Sequence, residues 1–129
     1  MKESSGSLMR LTIQDIIEWI DFNISEPLPL CTLAQKSGYS AWHFQKSFKK
    51  VTGMSPGEYI LKRKMVMAQD LLAKTNSTIT EIAMYLGYRQ QSTFCKAFRR
   101  HYHLTPSQHR QEMLTKHSDK LISELKLSK

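Results

Sequence analysis

Cysteine is nearly absent: a chain of 129 residues carries two, Cys31 and Cys95, and they form no CxxC pair. A disulfide framework needs more of them and a zinc site needs paired ligands, so two reduced thiols are expected. The histidines offer no metal spacing either. His101 and His103 are two apart and would diverge on a helix, while His43, His109 and His117 stand at no ligand interval. Long apolar runs are missing, and nothing approaches the roughly 18 residues that a membrane span requires. Residues 1–10 are polar and lack the apolar core of a secretion signal, which makes the cytoplasm the expected location. No glycine-rich phosphate loop or nucleophile–base pairing occurs, which argues against an enzyme, and no cofactor is expected. No segment alternates as a strand would.

The most informative absence is of carboxylates. None occurs between Glu81 and Glu112. Residues 31–111 hold thirteen Lys or Arg against Glu58, Asp70 and Glu81, a net of +10, whereas residues 1–30 carry −3 of the chain's overall +8. An acid-free basic stretch of this length faces a polyanion more often than plain solvent, so nucleic acid and anionic membrane surfaces are the partners it suggests. The hydrophobic share of 40% suffices for packed helices and argues against disorder of the whole chain.

What is present reads as helix throughout. Ile13, Ile16, Ile17, Ile20 and Ile24 form an apolar stripe flanked by Trp19, in a helix expected to start at Thr12 with Asp15 completing its cap. Pro27 and Pro29 break the chain. Short helices are expected over about Cys31–Ser37, stopped by Gly38, and Ala41–Thr52, opened by Ser40 and stopped by Gly53. Ser55-Pro56-Gly57-Glu58 launches the longest helix, to about Lys74. Thr78-Ile79-Thr80-Glu81 opens one that ends before Gly87, another spans about Gln90–Tyr102, and Thr105-Pro106-Ser107-Gln108 opens one to about Leu114. The expected segmentation is a flexible N-terminus (1–11), a first subdomain (12–54), a connecting helix (55–75), a second subdomain (76–114) and a frayed or weakly helical tail (115–129).

The subdomains are copies of each other. Leu33-Ala34 and Gly38-Tyr39 recur 49 residues on as Ile82-Ala83 and Gly87-Tyr88. One residue is then inserted, so that Phe44, Lys46, Phe48, Lys49, Lys50 and Ser55-Pro56 recur 50 residues on as Phe94, Lys96, Phe98, Arg99, Arg100 and Thr105-Pro106. Each copy reads as short helix, glycine turn, second helix, which is the shape of a helix-turn-helix. The alanine allows a close crossing, the glycine allows positive φ in the turn, and the tyrosine can seal the corner. The second helix then needs two faces. Phe44, Phe48 and Val51 should face the core, with Trp42, Gln45, Lys46 and Lys49 outward. In the second copy Phe94, Phe98 and His101 should face inward, with Ser92, Cys95, Lys96 and Arg99 outward. Stripes mixing hydrogen-bonding groups with cations suit a helix in the major groove of double-stranded DNA. Lys49, Lys50, Arg99 and Arg100, with Ser40 and Cys95, are the expected phosphate-binding set. A protein-binding adaptor would not need the stripe twice, and these turn-bounded units are not the single basic amphipathic rod of a membrane-surface helix. The connecting helix, about 18 residues at about 1.5 Å each, spans roughly 27 Å. Successive major-groove faces lie about 34 Å apart, so one chain could reach two of them if the DNA bends or the docking angle shifts.

The run Ser37-Gly38-Tyr39-Ser40-Ala41-Trp42-His43-Phe44-Gln45-Lys46, with Phe48-Lys49-Lys50, Tyr59-Ile60, Arg63-Lys64-Met65, Gly87-Tyr88, Gln91, Phe94, Phe98 and Pro106, resembles the AraC/XylS family of bacterial transcription regulators, and within it the small stand-alone MarA/SoxS/Rob-like type. The resemblance covers about residues 12–111. It implies an all-α domain of two helix-turn-helix subdomains joined by a long helix. It further implies binding as a monomer to an asymmetric promoter site, activation through contact with RNA polymerase, and drug-resistance or stress genes as targets. Base contacts would come from positions matching Trp42, Gln45 and Lys46 in the first unit and Gln91, Ser92, Thr93 and Lys96 in the second. The stand-alone type it resembles does without the effector and dimerisation domain of larger members, so no small-molecule effector is expected and the amount of protein would set activity. Four departures stand out. Lys46 and Lys96 replace arginines, which loosens the base preference expected there because lysine lacks the planar fork that grips guanine. Arg89-Gln90-Gln91-Ser92 replaces an acidic residue, a serine and two glutamines. Cys95 replaces a threonine, and Pro29 a capping serine.

Overall fold

Apolar residues at helical spacing, punctuated by glycine, proline and capping hydroxyls, give seven helices and no strand among the described residues: α1 (Lys2–Phe22), α2 (Leu30–Ser37), α3 (Ala41–Thr52), α4 (Pro56–Lys74), α5 (Ile79–Tyr85), α6 (Gln91–Tyr102) and α7 (Pro106–Leu127). These come from a computed structural model that describes the backbone of residues 2–127 and the side chains of residues 8–116. The chain is all-α, and it divides into two compact units, Met1–Lys64 and Met65–Lys129.

In the first unit α1 packs on α2 and α3, and α2 packs on α3. Ile13, Ile16, Ile20, Ile24, Leu33, Ala34, Phe44 and Phe48 are buried there. Each phenylalanine or isoleucine taken fully out of water stabilises by roughly 1.5–3 kcal/mol. The Tyr59 ring, on the first part of α4, meets Phe48 edge-on at 5.6 Å. Its hydroxyl donates to the Asp21 carboxylate at 3.2 Å, and Arg63 Nε donates to the same carboxylate at 3.0 Å. Burial, and after it the Asp21 charge, push the Tyr59 pKa up, so this hydroxyl keeps its proton and remains a donor.

In the second unit Met65, Ala68 and Leu72 of α4 pack with Ile82, Ala83, Leu86, Phe94 and Phe98. The C-terminus of α4 is closed by Arg110, whose guanidinium donates to the carbonyls of Leu72 at 3.1 Å and Thr75 at 3.3 Å. These are among the carbonyls a helix end leaves without partners. The boundary between units falls inside α4. The first part of α4 belongs to one unit and its second to the other.

The caps follow the sequence closely. Thr78 and Glu81 form a reciprocal box. Thr105 and Gln108 form another, with amide-to-side-chain distances of 3.0 and 3.1 Å. Ser55 Oγ accepts from the Glu58 amide at 3.2 Å. Pro29 supplies no side-chain cap, yet its extended backbone still starts α2 at Leu30. Gly38 (φ 79°) and Gly87 (φ 89°) make the two interhelical turns. At Gly87 the Tyr88 amide reaches back to the Ala83 carbonyl at 2.9 Å and the Gly87 amide to Met84 at 3.0 Å, a Schellman closure.

Both terminal helices run past the bounds expected for them. α1 begins at Lys2, so Thr12 lies within the helix and does not start it as expected. Leu8 and Leu11 are 64% and 61% exposed, so neither is anchored in the core. At the other end α7 continues from Leu114 to Leu127 through a run without glycine or proline, the helical one of the two alternatives expected for the tail.

Candidate nucleic-acid interface

The second helix of each unit carries the chemistry. In α3 the Ser40 hydroxyl accepts from the His43 amide at 3.2 Å, which fixes the helix start and leaves its own hydrogen free to donate outward. Phe44, Ser47 and Phe48 are buried. A period of 3.6 residues then turns Trp42, Gln45, Lys46, Lys49 and Lys50 to the surface, and all five are exposed. Trp42 is 67% exposed, whereas a tryptophan serving the core would be covered. The Lys46 ammonium lies 4.1 Å from the centre of the Trp42 ring, a cation–π contact one helical turn apart. This contact orders the lysine stem and sets an indole and a cation side by side on the outer face.

In α6 Phe94 and Phe98 are buried, while Gln91, Ser92, Thr93, Lys96, Arg99 and Arg100 are exposed. Thr93, Lys96, Ala97, Arg99 and Arg100 line an open basic depression on this helix. Gln90 occupies the N-cap position without a side-chain hydrogen bond. The Gln91 side-chain carbonyl accepts instead from the Thr80 hydroxyl of α5, a residue that the repeat pattern gave no reason to single out.

Two side chains sit elsewhere than expected. Cys95 is half-buried and packs against the second core, so it does not stand fully on the outer stripe. Its small apolar thiol lies next to the buried face of α6, and covering it there costs nothing in hydrogen bonding. His101 is exposed, and Tyr102 takes the inward place. The Tyr102 ring sits 4.8 Å from Phe98 and stacks at 6.1 Å on His109 of α7. Burial raises the Tyr102 pKa, with a smaller contribution from Asp70.

Among the described residues the ion pairs are Arg63 with Asp21 and Lys74 with Asp70, both away from the two stripes. Lys46, Lys49, Lys50, Lys96, Arg99 and Arg100 therefore present uncompensated charge, as phosphate neutralisation requires. Among the described residues no group of His, Cys, Asp and Glu is placed to hold a metal, and no helix is long and apolar enough to cross a membrane.

Comparison with known proteins agrees with this geometry. A family model described as a helix-turn-helix domain matches residues 33–112. The chain is 46% identical over 101 residues to the regulatory protein SoxS of Salmonella typhimurium, covering 78% of this chain and 94% of that one. It is 38% identical over 100 residues to the multiple antibiotic resistance protein MarA of Escherichia coli K12, covering 78% and 79%. Its fold is similar to the DNA-binding domain of AdpA, solved in complex with a target DNA, with a TM-score of 0.78 at 23% identity, covering 81% of this chain and 94% of that one. It is also similar to the C-terminal domain of AraT, a response regulator from Geobacillus stearothermophilus, with a TM-score of 0.75 at 27% identity, covering 78% and 84%.

Proposed function

The chain belongs to the AraC-type helix-turn-helix family of DNA-binding transcription regulators, and from that premise we propose that it acts as a cytoplasmic, monomeric activator that inserts α3 and α6 into adjacent major grooves of one promoter site. Trp42, Gln45 and Lys46 read bases in one groove, and Gln91, Ser92, Thr93 and Lys96 in the other. Ser40, Lys49, Lys50, Arg99 and Arg100 hold phosphates. Cys95, half-covered by the core, serves packing more than phosphate contact. Once bound, the protein recruits RNA polymerase. The similarity to the multiple antibiotic resistance protein MarA supports antibiotic-resistance genes among its targets.

One observation carries this reading. Both helices bury a pair of phenylalanines on one face and expose a polar and basic stripe on the other, with the two copies 50 residues apart in a single chain. Two recognition helices in tandem need no second subunit and imply a site without inverted symmetry. Selection from a random duplex library tests the assignment of roles. Gln45→Ala relaxes preference at one or two base pairs and costs about 1–3 kcal/mol on the best site. Lys49→Ala weakens all sequences about equally. An unchanged motif for Gln45→Ala would defeat the assignment, and two chains per minimal duplex in sedimentation would defeat the monomer.

A further inference from the structure

A glutamine side chain offers a base edge one acceptor and one amino group. Unrestrained, it pairs with adenine at two points, donating to N7 and accepting from N6. Gln91 is the first residue of α6, and its side-chain carbonyl oxygen accepts from the hydroxyl of Thr80. That bond takes one of the oxygen's two lone pairs and restrains the amide, while both Nε2 hydrogens are left to donate. We propose that Thr80 is a specificity-determining positioning residue: it orients Gln91 as a hydrogen-bond donor, favouring purine N7, guanine O6 or thymine O4 over two-point pairing with adenine.

Three features support this role. Thr80 has no capping duty in its own helix, since the cap of α5 is made by Thr78 with Glu81. Both side chains are exposed, so the bond fills no hole in the core. The device is also confined to the second unit. The repeat sets Cys31 and Ala41 at the corresponding places in the first, and that pair can form no such bond. A tethered glutamine also has fewer rotamers to lose on binding, which favours the tethered geometry in the complex.

The inference rests on the proposal that Gln91 reads a base, and the experiment separates the two. Random-library selection is run on the full chain and on Gln91→Ala, Thr80→Val, Thr80→Ala and Thr80→Ser, each first checked by thermal melting. If Thr80 positions Gln91, Thr80→Val and Thr80→Ala shift preference toward adenine by about fivefold or more at the base pair where Gln91→Ala relaxes it. Thr80→Ser, which keeps the hydroxyl, retains the parent motif. A changed motif for Gln91→Ala beside an unchanged one for Thr80→Val overturns the positioning role and leaves the base contact standing. A Thr80→Ser motif like that of Thr80→Val overturns it too, because the hydroxyl is then not the agent. An unchanged motif for Gln91→Ala overturns both.

Discussion

Affinity for a duplex site should fall steeply with salt. The relevant charges are the six exposed cations of the two stripes, Lys46, Lys49 and Lys50 on α3 and Lys96, Arg99 and Arg100 on α6. None of the six is paired with a carboxylate among the described residues, so none must break an internal ion pair before it meets DNA. Each phosphate neutralised releases condensed counterions, and log K falls against log salt with a slope of about −0.9 per contact. Six contacts give a slope of about −5.4, so doubling the salt from about 0.1 to about 0.2 M weakens binding about 40-fold. Fluorescence anisotropy with a labelled duplex at four or five salt concentrations measures this directly. Lys49→Ala should flatten the slope by about one unit. A parent slope shallower than about −2 would refute the reasoning, because the stripes would then not be meeting phosphates.

The structure makes further predictions. Arg110→Ala leaves the Leu72 and Thr75 carbonyls without their guanidinium and should destabilise the second unit by about 1–3 kcal/mol in urea denaturation; an unchanged midpoint would show that water replaces it fully. His103 closes α6 at a φ of 66°, where a side chain is strained, so His103→Gly should raise the melting temperature and stabilise by about 1 kcal/mol, and a fall would contradict the strain. Tyr59 has a folded pKa raised above its ordinary 10.0, so the folded state holds the proton longer than the unfolded chain does. Its contribution is fully present below about pH 10 and is lost as the pH rises through the folded value; Tyr59→Phe should therefore lose less stability than the parent on going from about pH 9 to 11, and parallel losses would exclude this link.

How far these features were legible in the sequence depends on the kind of signal each one left. The limits of α3 and α4 follow from local chemistry: Ser40, Gly53, Ser55 and Pro56 dictate starts and stops within one turn of themselves. The two faces of α3 follow from spacing alone, because Phe44 and Phe48 are large and no polar residue competes for their side. On α6 spacing is ambiguous. Position 101 lies three residues after Phe98 and position 102 four, and both fall on the inner face. The less polar ring, Tyr102, wins the core and His101 goes to solvent. The early start of α1 ran against the local signals, since Ser4, Ser5, Gly6 and Ser7 weaken a helix interior and Thr12 with Asp15 reads as a cap, yet the helix runs through all of them. The bond between Thr80 and Gln91 was out of reach for a different reason. It joins side chains eleven residues apart across a turn, and only the packing of α5 against α6 brings them together.

Stability and recognition are divided between opposite faces of one short helix, and the magnitudes keep the two functions separable. Removing Phe44 or Phe48 would cost roughly 3–5 kcal/mol, a large part of the 5–15 kcal/mol that holds a typical domain together. Loss of DNA binding in such a variant reports unfolding. Gln45 and Lys49 are exposed, so truncating either should move stability by no more than about 0.5 kcal/mol. Loss of binding there reports recognition on a folded protein. The Lys46–Trp42 contact is the intermediate case, worth about 0.5–1 kcal/mol at an exposed site. That is too little to matter for folding. It is enough to hold the ammonium beside the indole before the DNA arrives, and this ordering partly offsets the looser geometry of a lysine.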